Sequence, residues 1–200
     1  MDGLILAGGR SRRMGGFAKA FLTLDGRSFI ERILETITPL MQSIILSTNE
    51  PDLYRHLGVR VVTDEEEGRG PLMGIRTGLR ASAADACFVV AADAPLLLPS
   101  LIHALCARAH DVDVVVPLWK GEIEPLCAVY SRRCLPAIER TLDKGRIVSF
   151  FPLVRVCYVA EVEVRAADPQ GRSFINVNTP EDLERLHAIE GLSAPNEGTA

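Results

Sequence analysis

The sequence predicts a three-layer α/β/α sandwich built on a mostly parallel, Rossmann-like sheet. Short apolar runs alternate along its 200 residues with longer segments of helical periodicity, which is typical of α/β folds. Hydrophobic residues make up 48% of the chain, enough for one large core, and no repeat or linker interrupts it. We therefore predict a single domain over residues 1–190, followed by a small, polar and mobile tail over residues 191–200.

Short apolar runs predict the strands of this sheet. They cover residues 3–6, 43–48, 59–63, 87–92, 112–117, 125–130, 155–164 and 174–177. The run over 155–164 alternates as an edge strand does, so Glu161 and Glu163 are expected on one exposed face. Trp119 is interpreted either as part of a mobile loop near a ligand or as a surface aromatic.

Segments with apolar residues three and four positions apart predict the helices. They cover residues 29–40, 51–57, 72–83, 99–110, 134–144 and 180–189. Gly58 and Gly145 are expected to end the second and fifth of these helices, because glycine favours the left-handed conformation found there. Thr179 is expected to cap the last one.

The composition disfavours several classes of protein. A formal net charge of −4 argues against a protein that coats nucleic acid. The five cysteines are scattered and include no C-x-x-C pair, which favours a reducing compartment over a disulfide framework or a zinc site. No apolar run is long enough for a signal peptide or a membrane span. We expect a cytoplasmic protein with neither a nucleic-acid nor a membrane partner.

The densest signal is the segment LAGGRSRRMGGFAK over residues 6–19, which begins at the end of the first predicted strand. In a doubly wound sheet this position is the carboxyl edge, where ligands bind. Four glycines allow backbone N–H groups to turn toward a guest, and three arginines with Lys19 supply positive charge suited to a triphosphate. The spacing fits neither G-x-x-x-x-G-K-[ST] nor G-x-G-x-x-G. The segment is predicted to be a phosphate cradle of another kind, rather than a glycine-rich turn with solvated arginines.

Three polar residues end other predicted strands. Asp93 closes the apolar run over 87–92, where a carboxylate suits Mg²⁺ that takes its other ligands from phosphates and water; read alone, it also fits a turn. Asp64 and Asn49 carry oxygens that can accept hydrogen bonds from the N1–H and N2–H₂ groups of guanine. Read alone, Asp64 belongs to a solvated acidic run and Asn49 to a turn.

Taken together, these segments resemble the nucleotidyltransferases related to molybdenum cofactor guanylyltransferase, from Leu4 to about Leu186. The start LAGGRSRRMGG with the later Lys19 is similar to that family's N-terminal signature, and its double glycine favours the guanylyl branch over relatives that begin L-A-A-G. The run GRGPLMGI over residues 68–75 resembles the family's G-P-L-x-G-I helix start. One position departs from the pattern: the family usually has an acid directly before the lysine, and here Ala18 stands there.

The resemblance implies a fold of the nucleotide-diphospho-sugar transferase type and a Mg²⁺-dependent transfer of GMP from GTP to a molybdopterin-type acceptor. The implied catalytic residues are Lys19, Arg13 and Asp93, with Asp93 as the metal ligand. The implied GTP-binding residues are Leu6, Ala7, Gly8, Gly9, Lys19, Asn49, Asp64 and Asp93. On the acceptor side the resemblance implies the segment over 124–130 and the amides Asn176 and Asn178, which share one face if the strand over 174–177 continues.

Two alternatives stay open at this stage. One is a nucleotidyltransferase with another base or acceptor, such as a cytidylyl or phospholactate guanylyl enzyme. The other is a non-catalytic GTP-binding homologue, which the substitution at Ala18 allows. The resemblance also implies transient contact with proteins of cofactor biosynthesis or with molybdenum enzymes.

Overall fold

A mostly parallel sheet forms the centre of the molecule in the computed structural model, which describes residues 1–8, 19–66, 68–177, 179, 182–184 and 186. The described strands are β1 (Asp2–Leu6), β2 (Thr23–Leu24), β3 (Arg27–Ser28), β4 (Ile44–Ser47), β5 (Arg60–Val62), β6 (Ala86–Ala91), β7 (Val114–Trp119), β8 (Glu122–Ile123), β9 (Cys127–Ser131) and β10 (Val156–Val159). All of them belong to the central sheet except β2 and β3, which form a small separate hairpin. Within the described residues the strands of the central sheet have the order β10-β7-β9-β6-β1-β4-β5, and β8 pairs with the end of β7.

The direction of the strands decides where their ends meet. β1 lies between β4 and β6 and is parallel to both, and β5 is parallel to β4. β9 runs antiparallel to both of its neighbours, β6 and β7. The carboxyl ends of β5, β4, β1 and β6 therefore share one edge of the sheet.

Helices cover both faces of the sheet, which confirms the predicted three layers. They are α1 (Phe29–Ile37), α2 (Pro71–Ala81), α3 (Pro99–Cys106), α4 (Leu135–Thr141) and α5 (Glu161–Ala167). α1, α3 and α5 bury their apolar side chains against one face, in the cluster that contains Ile5 and Val90. α2 and α4 cover the other face, in the cluster that contains Leu4 and Val89. Neighbouring residues of one strand thus point into opposite layers, as the twofold period of a strand requires.

Helix α2 packs unusually close to the strands of the central sheet. A Cβ atom added to Gly78 would overlap the side chain of Leu4 in β1. A Cβ atom added to Gly74 would lie 3.1 Å from Leu6 Cδ2 and 3.1 Å from Ser47 Oγ. The two glycines remove the side chains that would hold the helix away, so the start of α2 lies against the ends of β1 and β4. Gly70, at the N-cap of α2, has φ +76°, a conformation that favours glycine.

Most predicted elements are confirmed, with shifted ends. Gly58 and Gly145 adopt the left-handed conformation at the ends of short 3₁₀ helices, as expected. The predicted helix over 51–57 consists of two 3₁₀ helices, and the one over 134–144 consists of α4 and the 3₁₀ helices beside it. The backbone N–H of Asp182 donates to Thr179 Oγ1 at 3.2 Å, which confirms Thr179 as a helix cap.

One predicted strand is too long, although it forms an edge of the sheet as expected, and another is absent from the described residues. The strand over 155–164 ends at Val159, and α5 follows it, so Glu161 and Glu163 lie in a first helical turn rather than on an exposed strand. The carboxylate of Glu163 accepts a hydrogen bond from the backbone N–H of Ala160 at 3.2 Å, which starts this helix. The strand over 174–177 is absent from the described residues: a 3₁₀ helix covers Arg172–Phe174, and the next residues are irregular.

No helix within the described residues is both long enough and apolar enough to cross a bilayer. The tail over residues 191–200 lies outside the described residues.

The close packing of α2 predicts the effect of one methyl group. Gly78→Ala should destabilise the protein by about 1–3 kcal/mol, because the new Cβ overlaps Leu4, and this overpacking outweighs the gain of about 1 kcal/mol from replacing a helical glycine. Urea unfolding measures the change. The double variant Leu4→Ala with Gly78→Ala should lose less than the sum of its two single variants, because the added methyl group fills the space that Leu4 leaves. A Gly78→Ala protein at least as stable as wild type contradicts the packing.

Candidate functional site

The ends of β1, β4 and β6 form the floor of the candidate site. Leu6 lies opposite Ser47 on one side and Ala91 on the other. Pairing continues one residue further, because the N–H of Ala7 donates to the carbonyl of Ser47 at 2.9 Å and the N–H of Ala92 donates to the carbonyl of Leu6 at 3.0 Å. The chain segments that follow these three strands therefore leave the sheet side by side.

An ion pair stands at the end of β6. Lys19 Nζ lies 3.3 Å from Asp93 Oδ2, and the two side chains are only 19% and 22% exposed. The main chain of Asp93 is held as well, because its carbonyl accepts a hydrogen bond from the N–H of Val177 at 3.1 Å. The structure thus brings together the two residues that the sequence predicts for phosphate and metal chemistry, although they are 74 positions apart in the chain.

The donor chemistry of this edge fits Mg²⁺ held jointly with a triphosphate. Asp93 offers a carboxylate, the hard oxygen ligand that Mg²⁺ prefers, at a partly exposed position. Within the described residues, no group of three or more His, Cys, Asp and Glu side chains could hold a metal ion by itself. Mg²⁺ commonly takes one or two carboxylates and completes its shell with phosphates and water.

The ends of β4 and β5 present hydrogen-bond acceptors on the other side of β1. Ser47 Oγ donates to Asp64 Oδ1 at 3.3 Å, which fixes the carboxylate that follows β5. Asn49 Oδ1 is buried and has no hydrogen-bond partner among the described residues. An unsatisfied buried acceptor costs about 1–3 kcal/mol, so it is a rare feature of folded proteins and fits a ligand that donates to it.

Some of the remaining predicted site residues lie within the described part of the chain, and others lie outside it. Leu6 is buried at the end of β1, and Ala7 and Gly8 follow it toward solvent. Asn176 is exposed and lies in irregular chain rather than in the predicted strand. The predicted residues Gly9, Arg13 and Asn178, and the family's departing position Ala18, lie outside the described residues.

Trp119 is part of the core at the end of β7, so both interpretations of it, as part of a mobile loop and as a surface aromatic, are wrong. It is 7% exposed, and its ring centre lies 5.6 Å from that of Phe174, with the two rings tilted by 35°. The guanidinium of Arg165 lies 4.5 Å above the ring centre, in the range of a cation–π contact. Gly171 lies so close to the ring that a Cβ atom there would overlap it.

Glu124 begins the segment over 124–130, which the sequence places on the acceptor side without giving this carboxyl group a role of its own. Its N–H donates to the carbonyl of Pro117 at 3.1 Å. Two residues later, the carbonyl of Leu126 accepts a hydrogen bond from the N–H of Ala91 at 3.2 Å. Glu124 therefore lies at the same edge as Asp93. Burial, with the nearby charge of Glu122, raises the pKa of its carboxyl group. Within the described residues this carboxyl group has no hydrogen bond or ion pair.

One local feature of the sequence could have indicated Glu124 as a site residue: it is an acid that lies between the turn after β7 and Pro125. Lys120 and Gly121 both have positive φ in that turn, 51° and 81°. The turn directs the chain back along the sheet, so the acid falls at the carboxyl edge. Its burial depends on packing that the local pattern does not reveal.

A family model described as the MobA-like NTP transferase domain matches residues 3–155. A molybdenum cofactor guanylyltransferase of Desulfosudis oleivorans is 43% identical over 191 residues, which cover 94% of this chain and 95% of that protein. A probable molybdenum cofactor guanylyltransferase of Pelotomaculum thermopropionicum is 42% identical over 189 residues, which cover 94% of this chain and 92% of that protein.

A solved structure is similar over the same length. The crystal structure of molybdopterin-guanine dinucleotide biosynthesis protein A from Archaeoglobus fulgidus superposes with a TM-score of 0.82 at 28% identity. The match covers 96% of this chain and 99% of that one. The likeness therefore includes the whole sheet and the edge at which the candidate site lies.

The half-buried carboxyl group of Glu124 predicts a pH-dependent gain in stability on its removal. Its pKa in the folded state lies above the ordinary value of 4.5, so the folded protein is destabilised once the pH is high enough to ionise the group in the unfolded chain. Glu124→Gln should therefore raise Tm at pH 7–8, and the gain should vanish as the pH falls below about 4.5, where both states hold the proton.

Glu122→Gln is the matched control, because Glu122 is exposed and only adds to the effect through its charge. It should change Tm much less than Glu124→Gln, as thermal unfolding at several pH values will measure. A Glu124→Gln protein with the same Tm as wild type at pH 8, or a gain that persists at pH 4, contradicts a half-buried carboxyl group that no described residue pairs with.

Proposed function

This chain belongs to the family of MobA-like NTP transferase domains, and we propose that it transfers GMP from GTP to the phosphate of a molybdenum-carrying molybdopterin. Pyrophosphate is released, and the product is the guanine dinucleotide form of the cofactor. The names and the high coverage of the relatives from Desulfosudis oleivorans and Pelotomaculum thermopropionicum support this assignment. The observation that carries it is the ion pair between Lys19 and Asp93 at the carboxyl edge.

The proposed reaction is a direct displacement at phosphorus. A phosphate oxygen of the acceptor forms a bond to the α-phosphorus of GTP, and the bond from that phosphorus to the bridging oxygen breaks. Its electron pair leaves with pyrophosphate. A phosphate monoester is already a competent nucleophile, so the chain needs to supply orientation and charge rather than a covalent intermediate.

Lys19 and Asp93 divide the electrostatic work in this proposal. The ammonium of Lys19 lies 3.3 Å from the carboxylate, close enough for the pair to contact the same phosphate group. Its positive charge stabilises the charge that grows on the transferring phosphoryl group and on pyrophosphate. Asp93 would hold Mg²⁺, which when bound neutralises phosphate charge and aligns the leaving group. The glycine-rich segment, with Gly9 and Arg13, is proposed to cradle the β and γ phosphates.

Base selection is assigned to the opposite side of β1. Guanine offers N–H donors on its Watson–Crick edge, and the acceptors Asn49 Oδ1 and the carboxylate of Asp64 match them. Adenine offers an acceptor at N1, where these oxygens require a donor. The mismatch leaves the buried Asn49 Oδ1 unpaired, which is costly.

The acceptor is assigned to the side of β7, where Glu124 and Asn176 lie. Val177 bonds to the carbonyl of Asp93, so the segment with Asn176 passes next to the proposed metal ligand. Asn178 belongs to the same proposal on the strength of the sequence alone.

We propose a cytoplasmic location for this reaction. All five cysteines lie within the described residues and are free. Burial raises the pKa of the Cys87 thiol to about 11, so this group stays protonated and unreactive at neutral pH. Free, buried thiols are typical of a reducing compartment.

The metal site predicts a strong effect of one neutral substitution. Asp93→Asn should keep the fold and Tm near wild type but lower turnover by a factor of hundreds or more, because an amide replaces the charged ligand. Pyrophosphate release, measured in a coupled assay with GTP, acceptor and Mg²⁺, gives the rate. Asp52→Asn is a matched control, because Asp52 pairs with Arg55 on the surface.

Retention of most of the rate by Asp93→Asn at saturating Mg²⁺ contradicts the assignment of Asp93. Any wild-type turnover above background also eliminates the alternative of a non-catalytic homologue with Ala18 in place of the family's acid.

The base side predicts the order of nucleotide affinities. GTP should bind at least tenfold more tightly than ATP or CTP, about 1.4 kcal/mol, because the other bases do not match the buried acceptor Asn49 Oδ1 and the carboxylate of Asp64. Isothermal titration with the four nucleotides in the presence of Mg²⁺ measures this difference. Equal affinities would remove the guanylyl assignment and leave a nucleotidyltransferase of another specificity.

A further inference from the structure

The residue after Asp64 is tied to helix α2 by two arginines. Arg76 Nη1 donates to Glu65 Oε2 at 2.9 Å, and Arg80 Nη1 donates to Glu65 Oε1 at 2.9 Å. Each carboxylate oxygen of Glu65 therefore has its own guanidinium. The two arginines are four positions apart, so they lie one above the other on the same face of α2.

Arg76 is the unusual member of this group, because its charged side chain is only 10% exposed. A buried charge needs an opposite charge and hydrogen bonds close by. Glu139 in α4 is 3.9 Å from Arg76 Nε, too far for a hydrogen bond, and that Nε has no hydrogen-bond partner within the described residues. Glu65 is therefore the hydrogen-bonded counter-charge of Arg76.

Arg80 extends the group to a third element of the fold. Its Nη2 donates to Glu139 Oε1 at 2.6 Å, while its Nη1 binds Glu65. The loop after β5, helix α2 and helix α4 are thus joined by one set of four charges. α2 is itself fixed against the ends of β1 and β4 through Gly74 and Gly78, so it offers a rigid anchor for the loop.

Asp64 lies between two fixed points. On one side its Oδ1 accepts the hydrogen bond from Ser47 Oγ at 3.3 Å. On the other side the next residue is held by Arg76 and Arg80. The main chain between these contacts has little freedom, although the run over 64–66 is polar and would otherwise be a solvated loop.

We propose that Glu65, Arg76 and Arg80 act as a positioning clamp that holds Asp64 at the distance and angle needed to accept the N–H donors of guanine. This inference rests on the proposed function, because it assigns a role in base selection to residues that do not touch the base. A carboxylate that is preorganised binds its ligand without the cost of ordering a loop. The clamp thereby turns an acidic loop into part of the guanine site.

The role of Glu65 is separable from the stability of the fold. Its side chain is 62% exposed, so water screens its charge, and Glu139 stays 3.9 Å from Arg76 Nε as a second negative charge when Glu65 is neutralised. Glu66, the next residue, is 57% exposed and bonds to Arg69 at 2.7 Å instead of to α2. The two neighbouring glutamates therefore differ in their partners and not in their charge or exposure, so Glu66 provides a matched control.

The test compares Glu65→Gln with Glu66→Gln by isothermal titration with GTP and with ATP, by Tm, and by the rate at saturating GTP. A glutamine at position 65 accepts from one arginine but turns its amide N–H₂ toward the other, so the clamp opens. Glu65→Gln should lower the ratio of GTP to ATP affinity at least fivefold, with Tm within a few degrees of wild type and kcat within about twofold. Glu66→Gln should leave the ratio unchanged, and Glu65→Asp should regain part of it.

The outcomes distinguish a failure of the proposed base site from a failure of the clamp alone. A wild-type protein without a preference for GTP contradicts the proposed base site and the clamp together. A wild-type preference that Glu65→Gln retains, or that Glu66→Gln lowers equally, overturns the clamp and leaves the proposed function intact. If Glu65→Gln lowers Tm by more than a few degrees, Arg80→Gln opens the clamp from an exposed side chain of α2, and an unchanged ratio in that variant overturns the clamp as well.

Discussion

The close packing of α2 on β1 and β4 is the constraint on which the site depends. Gly74 and Gly78 allow the helix to lie directly against Leu4, Leu6 and Ser47, so the carboxyl ends of the parallel strands are held at one height. Interiors packed at this density do not deform continuously, and a shift of the helix would move every strand end with it. The rigid floor allows loops with few internal contacts to present polar groups at fixed positions.

The parallel order of the strands then divides the edge into three regions. β6 carries Asp93 with its partner Lys19 on one side of β1, and β4 and β5 carry Asn49 and Asp64 on the other. The end of β1 lies between them. A nucleoside triphosphate has the same division, with a charged phosphate chain at one end and a hydrogen-bonding base at the other, so the two halves of one ligand match two neighbouring strand ends.

The positions of Asp93, Asn49 and Asp64 could be predicted from the sequence because each follows a short apolar run, and parallel strands bring such ends together. The strand predicted over 155–164 extended too far because alternation of apolar residues continues by chance into α5, where the hydrogen bond from Ala160 to Glu163 starts a helix. The burial of Glu124 and the partners of Glu65 were not predictable. Both depend on residues far away in the chain, and a run of acids has the same pattern whether it is solvated or held by Arg76.

Hydrogen–deuterium exchange with and without GTP and Mg²⁺ tests most directly whether the nucleotide binds across this edge. With GTP bound, we expect slower exchange of amides in the segments over 6–8, 48–50, 63–66 and 92–95, which lie at the carboxyl ends of β1, β4, β5 and β6. The segments over 82–85 and 111–113, at the amino ends of β6 and β7, should exchange at the same rate in both conditions. Protection confined to those opposite segments, or no protection at the carboxyl edge at saturating GTP, would contradict the account.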